Sequence, residues 1–181
     1  VALVAEDLGR INELFATQSG QSAYGITTDG VAVACLKLAD GSIVGSWSSE
    51  LESSLTGNAR PRSLAAVSEL AVVGGSDGIV HVLSNDGSIL GRGQWNISEL
   101  VSIDALGKDC IAGAQNGDAI VGHLNQLEHS LSWQAHPAPL TAVAIVPNAP
   151  LYITGSETGE VALWLRQTNA VYPVLRFPTG K

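Results

Sequence analysis

Apolar and polar residues alternate along four stretches of this chain, and glycine-rich turns interrupt the alternation at regular intervals. In each stretch an apolar run, a short turn ending near a glycine and a second alternating run follow one another: residues 31–47, 70–84, 110–125 and 151–166. If Ile43, Val80, Ile120 and Val161 are equivalent, the pattern recurs after 37, 40 and 41 residues. Period-two alternation favours strands over helices, so each stretch is predicted to be a pair of β-strands.

Two further apolar segments flank each predicted pair, such as 62–69 before and 88–93 after the pair at 70–84. Asp77-Gly78 and Asp86-Gly87 each join two strand-like runs, as in tight β-hairpins. Four short strands in roughly every forty residues are typical of β-propeller blades. The sequence therefore predicts an all-β β-propeller with a partial N-terminal blade and four complete four-stranded blades: 1–20 for the partial blade, then 21–59, 60–97, 98–135 and 136–181.

Two segments leave a second fold open. Residues 6–15 and 48–57 both carry apolar residues at helical spacing, and two helices there would indicate an α/β fold with crossovers. The repeat phasing instead assigns both segments to outer strands of blades, where a propeller tolerates irregularity.

The blade count indicates an incomplete ring. Four blades and a partial blade do not easily close, and an unclosed propeller exposes strand edges. The sequence contains no methionine and begins at Val1, so we expect a further N-terminal segment. Further blades are expected to come from the same natural chain, from a partner or from a second copy.

The last repeat carries the most specific motif. GSETGEVALW at 155–164, preceded by Gln134-Ala135-His136, resembles the WD-repeat pattern. In that family a histidine, a strand Ser or Thr, a turn aspartate and a tryptophan form a hydrogen-bonded set inside the blade. The resemblance implies these roles for His136, Thr154 and Trp164, whereas Thr158 stands where the aspartate belongs.

The other repeats depart further from this pattern. They keep glycine-rich turns but place Ser46, Leu83 and His123 at the tryptophan position, and Leu165 replaces the aspartate of the terminal Trp-Asp pair. The resemblance covers nearly the whole chain by periodicity, while the motif itself is confined to residues 134–166.

Composition narrows the classes of partner. The net charge is −8 with only nine Lys and Arg residues, so we expect no nucleic acid to bind. We also expect no membrane span, since no apolar run approaches the roughly 18 residues that a spanning helix needs. Cys35 and Cys110 lie within apolar runs and are interpreted as small buried core residues. They are compatible with a reducing compartment, so a cytoplasmic location is expected.

No catalytic, cofactor-binding or metal-binding residue is assigned. The segment 74–78 fits the G-x-S-x-G pattern of a hydrolase, but an alternating run follows it where the hydrolase turn needs a helix. A hairpin turn explains the match. The four histidines are not spaced as metal ligands: His81, His123, His129 and His136. Asn96-Ile97-Ser98 fits a glycosylation sequon, a pattern short enough to arise by chance.

Two functions fit a propeller of this kind. The first is a non-catalytic scaffold for protein–protein interaction, and the alternative is a ligand-binding or catalytic propeller of the quinoprotein-like or hydrolase type. The innermost strands, predicted to lie in residues 22–27, 63–68, 100–104 and 140–146, are small and apolar, with Asp104 as their one charge. This composition favours the scaffold.

A protein-binding face is predicted at one end of the blades. In an antiparallel meander, the second turn of each blade and the link to the next blade lie at the same end. The predicted face therefore gathers seven residues, with the turn at Asp40 beside them: Arg60, Arg62, Asp77, Trp95, Asn116, His136 and Glu157. Arg62 and Trp95 are the predicted anchors, because Arg and Trp dominate interface energetics. In the alternative interpretation Trp95 is tucked against the next blade. Either protein partners or further blades are the expected occupants.

Overall fold

The computed structural model describes residues 11–27, 32–40, 42–48 and 60–178. Within these residues the chain forms sixteen β-strands and no helix. The strands are β1 Ile11–Ala16, β2 Ser22–Thr27, β3 Ala32–Lys37, β4 Ile43–Ser48, β5 Pro61–Val67, β6 Leu70–Gly75, β7 Ile79–Leu83, β8 Ile89–Gln94, β9 Leu100–Leu106, β10 Asp109–Ala114, β11 Asp118–His123, β12 Gln126–Gln134, β13 Leu140–Ile145, β14 Leu151–Ser156, β15 Val161–Gln167 and β16 Ala170–Phe177.

The strands form four separate four-stranded sheets, each an antiparallel meander in sequence order. We name them blade 1 (β1–β4), blade 2 (β5–β8), blade 3 (β9–β12) and blade 4 (β13–β16). The prediction of an all-β fold with four four-stranded blades is confirmed. No helix long and apolar enough to cross a membrane occurs in the part of the chain that the structure describes.

The first blade begins one strand earlier than the sequence pattern indicated. Strand β1 pairs with β2 from Ile11↔Thr27 to Ala16↔Ala23, so it belongs to blade 1 and not to a preceding partial blade. Residues 31–47 therefore hold the third and fourth strands of their blade. Ile43 begins the fourth strand, as Ile89 does in blade 2. Residues 1–10 of the predicted partial blade and residues 49–59 of the predicted first complete blade lie outside the described residues.

The blades pack face to face through apolar side chains. We call the side of a blade that faces the preceding blade its near face and the opposite side its far face. On the far face of blade 2, Val72, Val80 and Val82 form one buried cluster with Cys110 and Ile120 from the near face of blade 3. Such sheet-on-sheet packing places the core between the blades.

The next interface repeats this arrangement with aromatic partners. Ile111, Ala119 and Val121 from the far face of blade 3 pack in one cluster with Tyr152 and Trp164 from the near face of blade 4. Alternation along each strand thus sends successive side chains to two different interfaces.

Both cysteines lie in these cores. Cys35 packs with Tyr24 and Leu83 between blades 1 and 2, and Cys110 packs between blades 2 and 3. Both thiols are free, and burial raises the pKa of each. The interpretation of the two cysteines as buried core residues is confirmed.

Side-chain hydrogen bonds join the first strands of successive blades. The Ser63 hydroxyl on β5 donates to the Leu100 carbonyl on β9 at 3.0 Å. On β9 the Asp104 carboxylate accepts the amide of Ile145 on β13 at 2.8 Å. A second Asp104 oxygen accepts the amide of Ala105 at 2.9 Å. The first strands β5, β9 and β13 therefore lie side by side along the inner edge of the blades.

Candidate interaction face

The turns between second and third strands meet the links between blades at one end of blades 2, 3 and 4. We call this end the link face; it comprises turns 76–78, 115–117 and 157–159, links 95–99 and 135–139, and the start of β5 at residues 60–62. Each of its turns contains a glycine at positive φ: Gly78 at 77°, Gly117 at 87° and Gly159 at 81°. Other residues rarely adopt this conformation, which accounts for the recurring glycine.

Two of these glycines hold the link that follows their blade through backbone hydrogen bonds. The carbonyl of Gly78 accepts the amides of Trp95 and Asn96 at 3.0 and 3.1 Å. A Cβ atom on Gly78 would lie 2.0 Å from the Asn96 carbonyl oxygen, so the link and the turn are in direct backbone contact. The same contact recurs in blade 3, where a Cβ atom on Gly117 would lie 2.2 Å from the His136 oxygen.

Glutamine side chains reinforce both contacts. The Gln94 side-chain amide donates to the Asp77 carbonyl at 2.9 Å. The Gln134 amide donates to the carbonyls of Asn116 and His136 at 3.1 and 2.7 Å. The link face is therefore a rigid surface, which lowers the entropy cost of binding.

The predicted turn residues lie on this face and shape its turns. The Asp77 carboxylate accepts the amide of Ile79 at 3.1 Å, and the Asn116 side chain accepts the amide of Asp118 at 3.2 Å. Asn116 and Glu157 are exposed to solvent. Asp40 was expected beside them, but it lies in the turn between β3 and β4, which is at the opposite end of its blade.

The two predicted arginines also lie here. Arg62 forms an ion pair with Glu99 across 2.9 Å, and its side chain remains 47% exposed. The backbone of Arg60 is held by Ser76, whose hydroxyl accepts the Arg60 amide at 2.9 Å. Ser76 therefore lies in the turn of the β6–β7 hairpin, as expected when a hairpin turn explains the G-x-S-x-G match.

Trp95 was predicted as an exposed anchor, and this prediction is wrong. The side chain is 6% exposed, and its indole N–H donates to the Leu127 carbonyl at 2.8 Å. A Cβ atom on Gly122 would lie 2.7 Å from Cζ2 of Trp95, so the ring fills the space that a side chain at 122 would take. The alternative, a tryptophan tucked against the next blade, is correct.

His136 was also predicted on the binding face, but it is 1% exposed and unavailable to a partner. Its Nε2 lies 2.8 Å from the Thr154 hydroxyl, which also accepts the indole N–H of Trp164 at 2.8 Å. Since the indole can only donate, the threonine proton is free for Nε2, and Nδ1–H then donates to Glu160 across 3.1 Å. The hydrogen-bonded set implied by the WD-repeat resemblance is present in blade 4.

Glu160 supplies the carboxylate of this set, a role that the sequence motif assigned to position 158. Arg176 donates to Glu160 at 2.9 Å and lies over the Trp164 ring, 5.0 Å from its centroid. The hydrogen bond from Arg176, followed by that from His136, lowers the pKa of Glu160. Thr158 instead hydrogen-bonds with the Ser156 hydroxyl at 2.9 Å. In the sequence, the carboxylate that directly follows the turn glycine Gly159 was the signal that could have identified Glu160 as a member of this set.

Asn96 takes the corresponding position in the link before blade 3. Its side-chain amide donates to the Asp118 carboxylate at 3.2 Å, and its side-chain oxygen accepts the Ser98 amide at 3.0 Å. Asp118 follows Gly117 as Glu160 follows Gly159. The carboxylate after the turn glycine is thus used in both blades.

Ile97 is the residue that the sequence analysis missed. It stands between the hydrogen-bonded Asn96 and Ser98 and is 97% exposed. The link contains two large apolar residues, Trp95 and Ile97, and the ring of Trp95 takes the space over Gly122 in blade 3. The smaller side chain, Ile97, is left exposed to solvent on a hydrogen-bonded turn.

At the opposite end of blades 3 and 4 a polar cluster joins the two sheets. His123 Nδ1 lies 2.7 Å from the Asp109 carboxylate, and Arg166 donates to the Tyr152 hydroxyl at 3.0 Å. Arg166 also approaches Asp109 and His123, at 3.4 and 3.2 Å. Among the described residues no group of three or more His, Cys, Asp or Glu side chains is arranged to hold a metal ion.

Four consecutive meanders that pack face to face define a segment of β-propeller. Solved structures with this arrangement include the computationally designed Ika8 protein, with a TM-score of 0.75 at 18% identity over 93% of this chain and 49% of that one. A chain of the mitotic checkpoint complex has a TM-score of 0.75 at 16% identity, over 91% and 52% of the two chains.

Sqt1 of Chaetomium thermophilum, solved bound to the N-terminus of the ribosomal protein L10, has a TM-score of 0.77 at 18% identity over 94% and 50% of the chains. This chain therefore spans about half the length of each of these structures. No family model and no curated protein matches the sequence. The likenesses support a β-propeller fold.

Proposed function

We propose that this chain is a non-catalytic scaffold of the WD-repeat type that binds a protein partner through its link face, as a subunit or segment of a larger cytoplasmic assembly. The observation that carries the proposal is Ile97, an almost fully exposed isoleucine on a hydrogen-bonded turn. Exposed apolar side chains on rigid supports are typical anchors of protein interfaces.

The surroundings of Ile97 fit this role. The ion pair of Arg62 with Glu99 is only partly buried, so both groups remain available for polar contacts at the rim. Sqt1, which shares the fold, binds a segment of another protein, and this supports a protein partner here as well. The ligand-binding or catalytic alternative has less support, because backbone amides already engage both carboxylate oxygens of Asp104 on the inner strands.

The test compares partner capture by three variants of the full chain. Ile97→Asp and Arg62→Ala should each weaken retention of a partner by about fivefold or more, since anchor residues contribute more than about 1 kcal/mol. Leu90→Asp is the matched control, because Leu90 is 60% exposed on β8, away from the link face. Affinity purification with quantitative mass spectrometry identifies the proteins, and titration of each purified candidate gives the affinity.

All three variants should keep the thermal midpoint of the unchanged chain, because the substituted side chains are exposed. A partner that binds Ile97→Asp and Leu90→Asp equally well would show that the link face is not the binding surface.

A further inference from the structure

The turn between β10 and β11 contains the one asparagine of the sequence that is followed directly by a glycine, Asn116 before Gly117. The side chain of Asn116 is exposed, whereas Gly117 is buried. A bond between the side-chain carbonyl carbon of an asparagine and the next backbone nitrogen closes a five-membered ring. Because glycine has no Cβ, it hinders this ring closure less than any other residue. The turn therefore joins an electrophile to the nucleophile best able to reach it.

Asp118 holds the side chain of Asn116 by both of its polar atoms. The Asp118 amide donates to Oδ1 of Asn116 at 3.2 Å, and Nδ2 of Asn116 donates to the Asp118 carboxylate at 2.8 Å. The first contact places a donor at the oxygen on which negative charge would develop during attack. The two contacts together fix the orientation of the side chain, which favours a reaction within the turn.

The nucleophile, in contrast, is covered by the link at residues 135–139. The Gly117 carbonyl accepts the amides of Ala135 and His136, both at 3.1 Å. The Gln134 side-chain amide joins turn and link by donating to the carbonyls of Asn116 and His136, at 3.1 and 2.7 Å. Reaction at Gly117 therefore requires that the link first move away from the turn.

We propose that Asn116 is a site of spontaneous deamidation that reacts when this link opens. The Gly117 amide leaves the Ala114 carbonyl, to which it donates at 3.0 Å, loses its proton to base in water and attacks Cγ of Asn116. The bond from Cγ to Nδ2 breaks, and the nitrogen takes a proton from water and leaves as ammonia. Water then opens the resulting succinimide at either carbonyl, which gives aspartate or isoaspartate without any change of oxidation state.

Neither product fits the closed link. Aspartate at position 116 places a carboxylate oxygen where Nδ2 now lies 2.8 Å from the Asp118 carboxylate, so two like charges meet. Isoaspartate routes the backbone through Cβ and lengthens the turn by one atom, which moves the carbonyl that Gln134 now contacts. The modified turn should therefore hold the link less tightly. This inference does not depend on the proposed function, because no partner takes part in the reaction.

Incubation of the full chain at mildly alkaline pH, followed by peptide mapping with mass spectrometry, tests the proposal. Asn116 should convert before Asn85 and Asn148, which are also exposed but precede residues that carry side chains. Gln134→Ala removes the donor that joins turn and link and should accelerate conversion of Asn116. Gln94→Ala is the matched control, because it removes the equivalent donor in blade 2 and should leave this rate unchanged.

Hydrogen exchange of the converted chain provides the second measurement. The amides of Ala135 and His136 should exchange faster after conversion, since their acceptor is the Gly117 carbonyl. Asn116→Gln, whose side chain would have to close a larger ring, should keep its amide group throughout. Retention of the Asn116 amide, earlier conversion of Asn85 or Asn148, an unchanged rate in Gln134→Ala, or unchanged exchange in the converted chain would each overturn the proposal.

Discussion

Two neighbouring blades fill the same internal space with an indole ring that comes from different chain positions. In blade 4 the ring belongs to Trp164 on the third strand, and the link carries Ala135. In blade 3 the third strand has Gly122 at the equivalent register, and the link carries Trp95. The sequence analysis placed His123 at this register, one residue too far. A large residue on the strand is thus exchanged for a large residue in the link.

Substitution of Trp95 tests whether an indole ring from the third strand can replace the ring that the link supplies. Trp95→Ala leaves a cavity over Gly122 and should lower the free energy of unfolding by about 3–5 kcal/mol. In Trp95→Ala/Gly122→Trp the indole returns from the strand, as in blade 4, and should recover part of the loss. The recovery is incomplete because Ala112 stands where Thr154 accepts the indole N–H in blade 4.

Urea denaturation of the single and double variants measures both effects. Gly122→Trp alone serves as the control and should destabilise the chain, since its ring would collide with Trp95. A double variant no more stable than Trp95→Ala would contradict the exchange.

The carboxylate of Glu160 makes blade 4 sensitive to acid. Hydrogen bonds from Arg176 and His136 lower its pKa in the folded chain, so its stabilisation is complete above the unfolded pKa and disappears as the pH falls through the folded value. Glu160→Gln should lower the free energy of unfolding by about 1.5 kcal/mol or more near neutral pH, since it removes two charge-assisted hydrogen bonds.

The difference between Glu160→Gln and the unchanged chain should shrink as the pH falls below about 4.3, the ordinary pKa of a glutamate. Thermal unfolding of both chains across acidic pH measures it. Glu157→Gln, on the exposed turn nearby, is the control and should show no such convergence; a constant difference for Glu160→Gln would argue against the role of its charge.

At the scale of the structural element, the turn glycines decide whether the links stay in place. Gly117 and Gly107 both have positive φ, at 87° and 62°, and both belong to blade 3. The Cβ of an alanine would lie 2.2 Å from the His136 oxygen at position 117 but would meet nothing within 4 Å at position 107.

Gly117→Ala should therefore destabilise the chain well beyond the roughly 1 kcal/mol that strain at positive φ costs at Gly107→Ala. It should also increase hydrogen exchange at the amides of Ala135 and His136, which donate to the Gly117 carbonyl. Equal effects of the two substitutions would show that the backbone contact contributes nothing.

Strand content was readable from the sequence, but the phase of the first blade was not. Period-two alternation has the same form in every hairpin of a meander, so the turn at Asp40 resembled the turn at Asp77 although it joins the third and fourth strands. The pairing of β1 with β2 shows that the turn at Asp40 follows the third strand of its blade and not the second. That pairing is a contact between two strands, so the sequence of neither strand reveals it.

Only part of the candidate face could be predicted from the sequence, again because some features depend on contacts between blades. Turn residues such as Asp77 and Asn116 act on their own backbone, so their location follows from local sequence. Burial of Trp95 and exposure of Ile97 depend on a cavity created by Gly122 in the next blade. A link sequence alone cannot show which of its two apolar residues that cavity accepts.

At the scale of the whole molecule, the chain is an array in which every blade contacts its sequence neighbours. Apolar clusters lie between blades, and hydrogen bonds from Ser63 and Asp104 tie the first strands together along the inner edge. The link face lies at the ends of the strands, whereas the far face of blade 4 lies along them.

The position of Trp95 also determines which segment of the chain must be kept together when blades are moved between propellers. Blade 3 on its own, residues 100–134, would carry an empty space over Gly122, because the side chain that fills it precedes the first strand. A cassette transferable between propellers must therefore include the preceding link and begin at residue 95. Duplication or shuffling that cuts at the first strand would transmit a defective module, whereas a cut before the link transmits an intact one.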